Sequence, residues 1–130
     1  MTRKIRNKLL LWIIVLGLAN FAAYTLMYWY FQGDAPNGAF KDGQYFLRGH
    51  FLHNTSEGCL SKPVSRLVWI YSYVHSISLW PTIAAVLVSM AVLARPHIIA
   101  TMENDSGIHG STFVTVFITI VTLLTGVTTL

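Results

Sequence analysis

Three long runs of this chain carry no charged side chain, and no other feature limits its fold so strongly. They extend from Leu9 to Phe31, from Leu67 to Ala94 and from Ser111 to Leu130. Arg3, Lys4, Arg6 and Lys8 crowd the start, and nearly all other charges fall between residues 34 and 66 or between 95 and 105. A helix needs roughly 20 apolar residues to cross about 30 Å of hydrocarbon, and each run meets that length. Only 11% of the 130 residues are charged and 54% are hydrophobic. Soluble domains are about one-quarter charged. In water this chain would present large apolar patches that aggregate, a cost that lipid removes. The sequence therefore predicts an all-α membrane protein of one membrane domain, with three transmembrane helices and a short extracytoplasmic loop holding a small β-hairpin.

The first span, 9–31, follows a basic tail at 1–8 and ends in Tyr28-Trp29-Tyr30-Phe31. Amphipathic rings prefer the headgroup level, so these four read as an aromatic belt. The run is too long for the apolar core of a cleaved signal peptide, and four aromatics make a poor cleavage site. It reads as an uncleaved signal anchor. The second span, 67–94, lies between Ser61-Lys62-Pro63, which looks like a helix start, and Arg95-Pro96, which looks like a helix end. Its first half holds Trp69, Tyr71, Tyr73, His75 and Trp80, and its second half is aliphatic. Pro81 lies between the halves and should kink the helix by removing one backbone bond. The third span, 111–130, is rich in threonine. Backbone groups in lipid must pair within the segment, so helix is expected despite weak propensity.

Cytoplasmic segments carry excess Lys and Arg, and the first helix usually sets orientation. The basic tail thus places the N-terminus in the cytoplasm, the 32–66 loop outside and the 95–110 loop inside. The formal net charge of +4 does not imply nucleic-acid binding. The basic residues are too few and scattered to track phosphates, and they serve topology and contact with anionic headgroups. Cys59 stands alone, which excludes an internal disulfide and any paired-cysteine redox or zinc pattern. In the outer loop, Gly33 to Gly38 read as turn-formers. Asp42-Gly43 then precedes Gln44 to Arg48, a β-prone run expected to pair with His50 to His53 across Gly49. Such a hairpin is marginal alone and needs a surface or a partner to lie on. Tyr45, Phe46, Arg48, Arg66 and Trp69 are its candidate interaction residues. Residues 96–103 read as a short interfacial helix, broken at Asn104 to Gly107.

Polar residues inside the spans fall on faces. In the third span Thr112, Thr115, Thr119, Thr122, Gly126 and Thr129 recur at steps of three or four. Ser72, His75, Thr82 and Ser89 stripe the second span, and Gly17, Asn20 and Ala23 stripe the first. Small and hydroxyl residues let membrane helices approach and bond. The stripes therefore predict a small bundle packed through Asn20, Ser72, His75, Thr82, Thr115, Thr119, Thr122 and Gly126, with Asn20 bonding between helices.

No protease, nucleophile-elbow or phosphate-loop motif occurs, so no catalytic residue is assigned. No metal or cofactor is assigned either. His50 and His53 lie in a stretch that reads as extended, and His75 and His97 are about 33 Å apart along a straight helix, too far to share a haem. The stretches Asp42 to Leu47, Val64-Ser65-Arg66 and Tyr71-Ser72-Tyr73 with His75 resemble small bacterial membrane proteins. The resemblance is to no named family and adds no function; the expected location is the bacterial inner membrane. The expected partners are the lipid bilayer and other membrane subunits or a second copy of the chain. The expected role is non-enzymatic: an accessory subunit of a membrane complex, or an immunity-type protein that blocks a membrane-targeted toxin. The alternatives are an oligomeric channel or transporter component, suggested by the threonine stripe, and a haem-binding electron-transfer subunit using His75.

Overall fold

The computed structural model describes residues 2–49, 63–102 and 109–128. Within them lie α1 (Arg3–Phe31), β1 (Asp34–Lys41), β2 (Gln44–Arg48), β3 (Pro63–Val64), α2 (Arg66–Met102) and α3 (Gly110–Thr128). The chain is mostly helical, with one small antiparallel sheet of order β1-β2-β3. Two helices, α1 and α2, are long and apolar enough to cross a membrane, whereas the apolar stretch of α3, Gly110–Gly126, is shorter.

Helix α1 begins inside the basic tail, where Arg6 N–H donates to the Thr2 carbonyl at 3.1 Å. Its first turn holds no acidic residue. Cations at a helix N-terminus oppose the macrodipole, so the basic cluster is not there to stabilise the helix. Its 29 residues reach about 43 Å at 1.5 Å per residue, longer than the charge-free run alone. The helix closes on a Schellman turn: Gly33 N–H donates to the Tyr28 carbonyl at 3.1 Å, and Gln32 takes the left-handed conformation with φ 60°. Glycine is the usual residue there. Gly33 itself is obligatory, because a Cβ would collide with the Arg48 backbone.

The hairpin differs from the expected one. The partner of Gln44–Arg48 is the preceding segment, Asp34–Lys41. Asp42 and Gly43, at φ 51° and 77°, make the two-residue turn between paired Lys41 and Gln44. Positive φ at both central residues is the type I′ geometry that matches strand twist, and Asp-Gly is among its preferred sequences. The supposed turn-formers 33–38 are thus largely strand, with an irregularity between Asp34 and Ala39. Gly38 permits it, since a Cβ there would strike the Phe46 carbonyl. The expected partner His50 to His53 lies outside the described residues. Pro63–Val64 adds a third short strand on β2 and is not the start of the second helix.

Ser65 starts α2 instead. Its Oγ accepts from Val68 N–H at 3.3 Å and its carbonyl from Trp69 N–H at 3.0 Å, a side-chain and backbone N-cap. The helix then runs 37 residues without a break through Pro81 and Pro96. Arg95-Pro96 is therefore not its end, and residues 96–102 continue α2 rather than forming a separate interfacial helix. Each proline removes a single helix hydrogen bond, whereas ending the helix would orphan four carbonyls. Apolar helices tolerate proline on those terms.

Contacts divide the chain into two units, Met1–Ala19 with Trp80–Leu130, and Asn20–Leu79. In the first, Gly17 is the one buried residue of α1. A Cβ on it would collide with the Val86 side chain and lie 3.4 Å from Thr82 Cγ2. The start of α3 meets the end of α2 as closely, with a Cβ on Gly110 falling 2.7 Å from Ile99 Cα. Val86, Ala91 and Val114 are the buried hydrophobics of this unit. In the second unit, Leu47 is fully buried and Ala35 nearly so.

Gly17→Val should overpack the α1–α2 contact and lower stability by about 1–3 kcal/mol. Ala19→Val, on an exposed position, should change it by less than about 0.5 kcal/mol. Denaturation of the purified protein in mild detergent measures both, and equal effects would remove Gly17 as the point of closest packing.

Candidate functional site

The densest polar grouping lies in the Asn20–Leu79 unit, where the last turns of α1, the start of β1 and the first turns of α2 converge. Asn20, Tyr24 and Tyr28 recur every four residues and share one face of α1. Ser72, His75 and Ser76, at steps of three and one, do the same on α2. The Schellman turn reverses the chain after Phe31 and delivers Asp34 against both helices.

Asp34 is 6% exposed, unusual for a carboxylate. Its Oδ2 accepts from Tyr24 Oη at 3.0 Å and its Oδ1 from Asn37 Nδ2 at 2.7 Å. Next to it, Ala35 N–H donates to Ser72 Oγ at 3.1 Å, so the strand irregularity does not leave that amide unpaired. Deeper along the helices, His75 Nε2 lies 3.1 Å from Asn20 Oδ1. The amide oxygen only accepts, so Nε2 carries the proton and donates. Two rings hold the imidazole edge-on: Tyr24 with centroids 5.6 Å apart and Tyr71 at 5.4 Å. Among the described residues, Ser76 Oγ is buried with no hydrogen-bond partner. Tyr24, Tyr28, Gly33, Asp34, Tyr71 and Ser72 line a crevice of about 10 Å³, the space of one water molecule.

A second feature is an aromatic ladder across the hairpin and the start of α2. Phe40 packs on Tyr45 at 4.7 Å, Tyr45 on Trp69 at 5.6 Å, and Trp69 stacks on Tyr73 at 5.3 Å. This supplies the surface that an isolated hairpin lacks. Phe46 is half-buried and pairs with Ala39 and Pro63 in the sheet. Arg48 and Arg66 are exposed, Arg48 opposite Asp34 in the strand register.

The predicted packing residues thus fall into three places. Asn20, Ser72 and His75 join the polar grouping, and Thr82 lies against Gly17 in the other unit. Thr115, Thr119 and Thr122 face outward from α3, each hydroxyl donating to its own helix one turn back at 2.8–2.9 Å. The side of α3 turned inward is Val114, Phe117, Ile118, Val121 and Thr125. Within one chain, then, the threonine face is not the packed face. Gly126 is exposed as well.

Sequence reasoning missed Tyr24, Asp34 and Asn37. Asp34 and Asn37 read as loop residues because both favour turns. The available signal was an aspartate placed three residues beyond an apolar span whose last turns carry tyrosines at four-residue spacing. His50, His53 and Cys59 lie outside the described residues. Among the described residues, no three His, Cys, Asp or Glu side chains gather as metal ligands. Comparison with family models, curated proteins and solved structures finds no match.

The Asn20–His75 bond should show coupling. Asn20→Leu and His75→Leu each remove one half of this bond, and the double variant removes both. A double-mutant cycle in detergent should give a coupling of about 0.6–1.7 kcal/mol, the span measured for bonds between membrane helices. Strict additivity would mean that the bond does not form in the folded protein.

Proposed function

We propose that this chain is a small, non-enzymatic integral membrane protein with three spans. Its role is that of an accessory subunit of a membrane complex, or of an immunity-type binding protein, acting through helix packing and its outer hairpin. It sits in the bacterial inner membrane with its N-terminus in the cytoplasm. The observation that carries this reading is the exposure of apolar side chains around the helices. On α1, Leu11, Trp12, Val15, Leu16 and Leu18 are each more than half exposed, and successive residues point about 100° apart. No single neighbouring face covers them all. A surrounding apolar solvent does, and its thickness matches the uncharged part of the helix.

Three further features support the reading. The basic tail lies at a helix end that electrostatics disfavours, as expected of a topology signal. The outward threonines of α3 satisfy their own hydroxyls, so that face tolerates lipid and also admits the close approach of another helix. The hairpin is anchored by hydrogen bonds and stacked rings, and presents Phe40, Arg48 and Arg66 outward. A partner-recognition element calls for such rigidity, since ordering it costs nothing further on binding.

Two experiments test the proposal. In a Cys59→Ser background, Lys41→Cys in the hairpin and Thr101→Cys near the end of α2 should react with an impermeant thiol reagent from opposite sides of the membrane. Labelling from the same side would overturn the topology. Affinity purification in mild detergent should recover a specific membrane partner or a second copy. Thr119→Leu with Thr122→Leu should weaken that association by about 1–3 kcal/mol, while Val116→Leu with Ile120→Leu, on other exposed positions, should leave it intact. Equal recovery from both pairs would deny the threonine face any role in association.

A further inference from the structure

We propose that the crevice against Asp34 is a binding site for a small ammonium-type cation, one with at least one N–H and no bulky substituents. The carboxylate is buried, and both its donors, Tyr24 and Asn37, are neutral. A carboxylate accepts about four hydrogen bonds, so half its capacity is unused. Among the described residues no cationic side chain pairs with it. A buried charge in that condition is costly unless something compensates it.

The crevice walls are suited to a cation. Ser72 Oγ accepts from Ala35 N–H and retains a second lone pair. Tyr24 Oη, which donates to Asp34, can still accept. Tyr28 and Tyr71 add aromatic rings, whose faces attract cations. The imidazole N–H of His75, which also lines the crevice, is engaged by Asn20 and does not compete. The carbonyl end of α1 closes three residues before Asp34, and that pole of a helix carries partial negative charge. Size sets the selectivity: a space of about 10 Å³ takes a group the size of one water. An ammonium ion or the –NH₃⁺ tip of a primary amine fits, and a trimethylammonium group does not.

The cation has two possible sources, a free amine or the ethanolamine headgroup of a phospholipid. The lipid source rests on the membrane reading above, which puts the Tyr28–Phe31 belt at headgroup level. The test uses the full chain in nanodiscs of phosphatidylcholine, with thermal unfolding followed in methylammonium, tetramethylammonium or sodium chloride at equal ionic strength. Methylammonium should raise the midpoint by about 4 °C at concentrations well above its dissociation constant, and the other two salts should not. Asp34→Asn preserves the side-chain shape and should abolish the response. Should that variant fail to fold, Ser72→Ala removes one acceptor and should raise the methylammonium concentration needed for half the shift about tenfold.

Replacing part of the lipid with phosphatidylethanolamine separates the sources. A raised midpoint without amine, to which methylammonium adds nothing, identifies the headgroup. An unchanged midpoint that still responds to methylammonium identifies a free cation. A crevice that holds only water, or an Asp34 that is simply protonated, gives no methylammonium response in phosphatidylcholine, and that result overturns the proposal. Equal responses to methylammonium and tetramethylammonium, or an undiminished response in Asp34→Asn, overturn it too. Thiol labelling from the two sides judges the membrane reading independently of these outcomes.

Discussion

An apolar helix such as α1 or α2 offers its own backbone N–H and C=O groups no side-chain partners and, where it is surrounded by hydrocarbon, no water. Every such group then has to be paired by the helix itself, and the consequences run through the whole chain. Helix α2 passes two prolines without stopping, because losing one bond at each costs less than orphaning a terminus. Two of the helix ends are visibly capped: Ser65 supplies its side chain to the start of α2, and the end of α1 is closed by a Schellman turn even though it must put Gln32 into a left-handed conformation. Thr115, Thr119, Thr122 and Thr125 of α3 return their hydroxyls to carbonyls one turn back on the same helix under the same rule.

The polar cap follows from the way α1 ends. A helix that stopped raggedly at Phe31 would leave the next residues free to wander. The Schellman turn, with Gly33 pressed on the Arg48 backbone, fixes where Asp34 and Ala35 lie. From there the hydrogen bonds interlock. Tyr24 and Asn37 hold the Asp34 carboxylate, Ser72 holds the Ala35 amide, and the Tyr45–Trp69–Tyr73 stack holds the hairpin on α2. Such interlocking makes a two-strand hairpin, marginal on its own, into an ordered surface. That order gives the hairpin one fixed shape.

The location and apolar character of the helices were legible in the uncharged runs, because charge is costly in an apolar medium and its absence is a plain signal. The Asp42-Gly43 turn was also legible, since few sequences favour positive φ at two successive residues. What was misread was the side of that turn on which the second strand lies: the expected partner was His50 to His53, and the observed one is Asp34–Lys41. Pro36, Asn37 and Gly38 read as loop because they break regular strands, yet an irregular pairing absorbed them. The helix ends were misjudged for a related reason. Pro63 instead opens a short strand, and α2 continues through Arg95-Pro96 at the loss of one backbone bond.

The sequence by itself determined that this chain forms long apolar helices with charge kept out of their uncharged runs, because each run must satisfy its backbone and exclude charge whatever its neighbours do. Tertiary structure alone decided which polar residues meet. Asn20 and His75 are 55 positions apart, and Ala35 and Ser72 are 37 apart. Nothing local to either residue of such a pair specifies the other. It likewise decided that α3 turns Val114 and Phe117 inward and Thr115, Thr119 and Thr122 outward. Periodicity shows that a face exists, but only the packing of one helix against another selects the face that is buried.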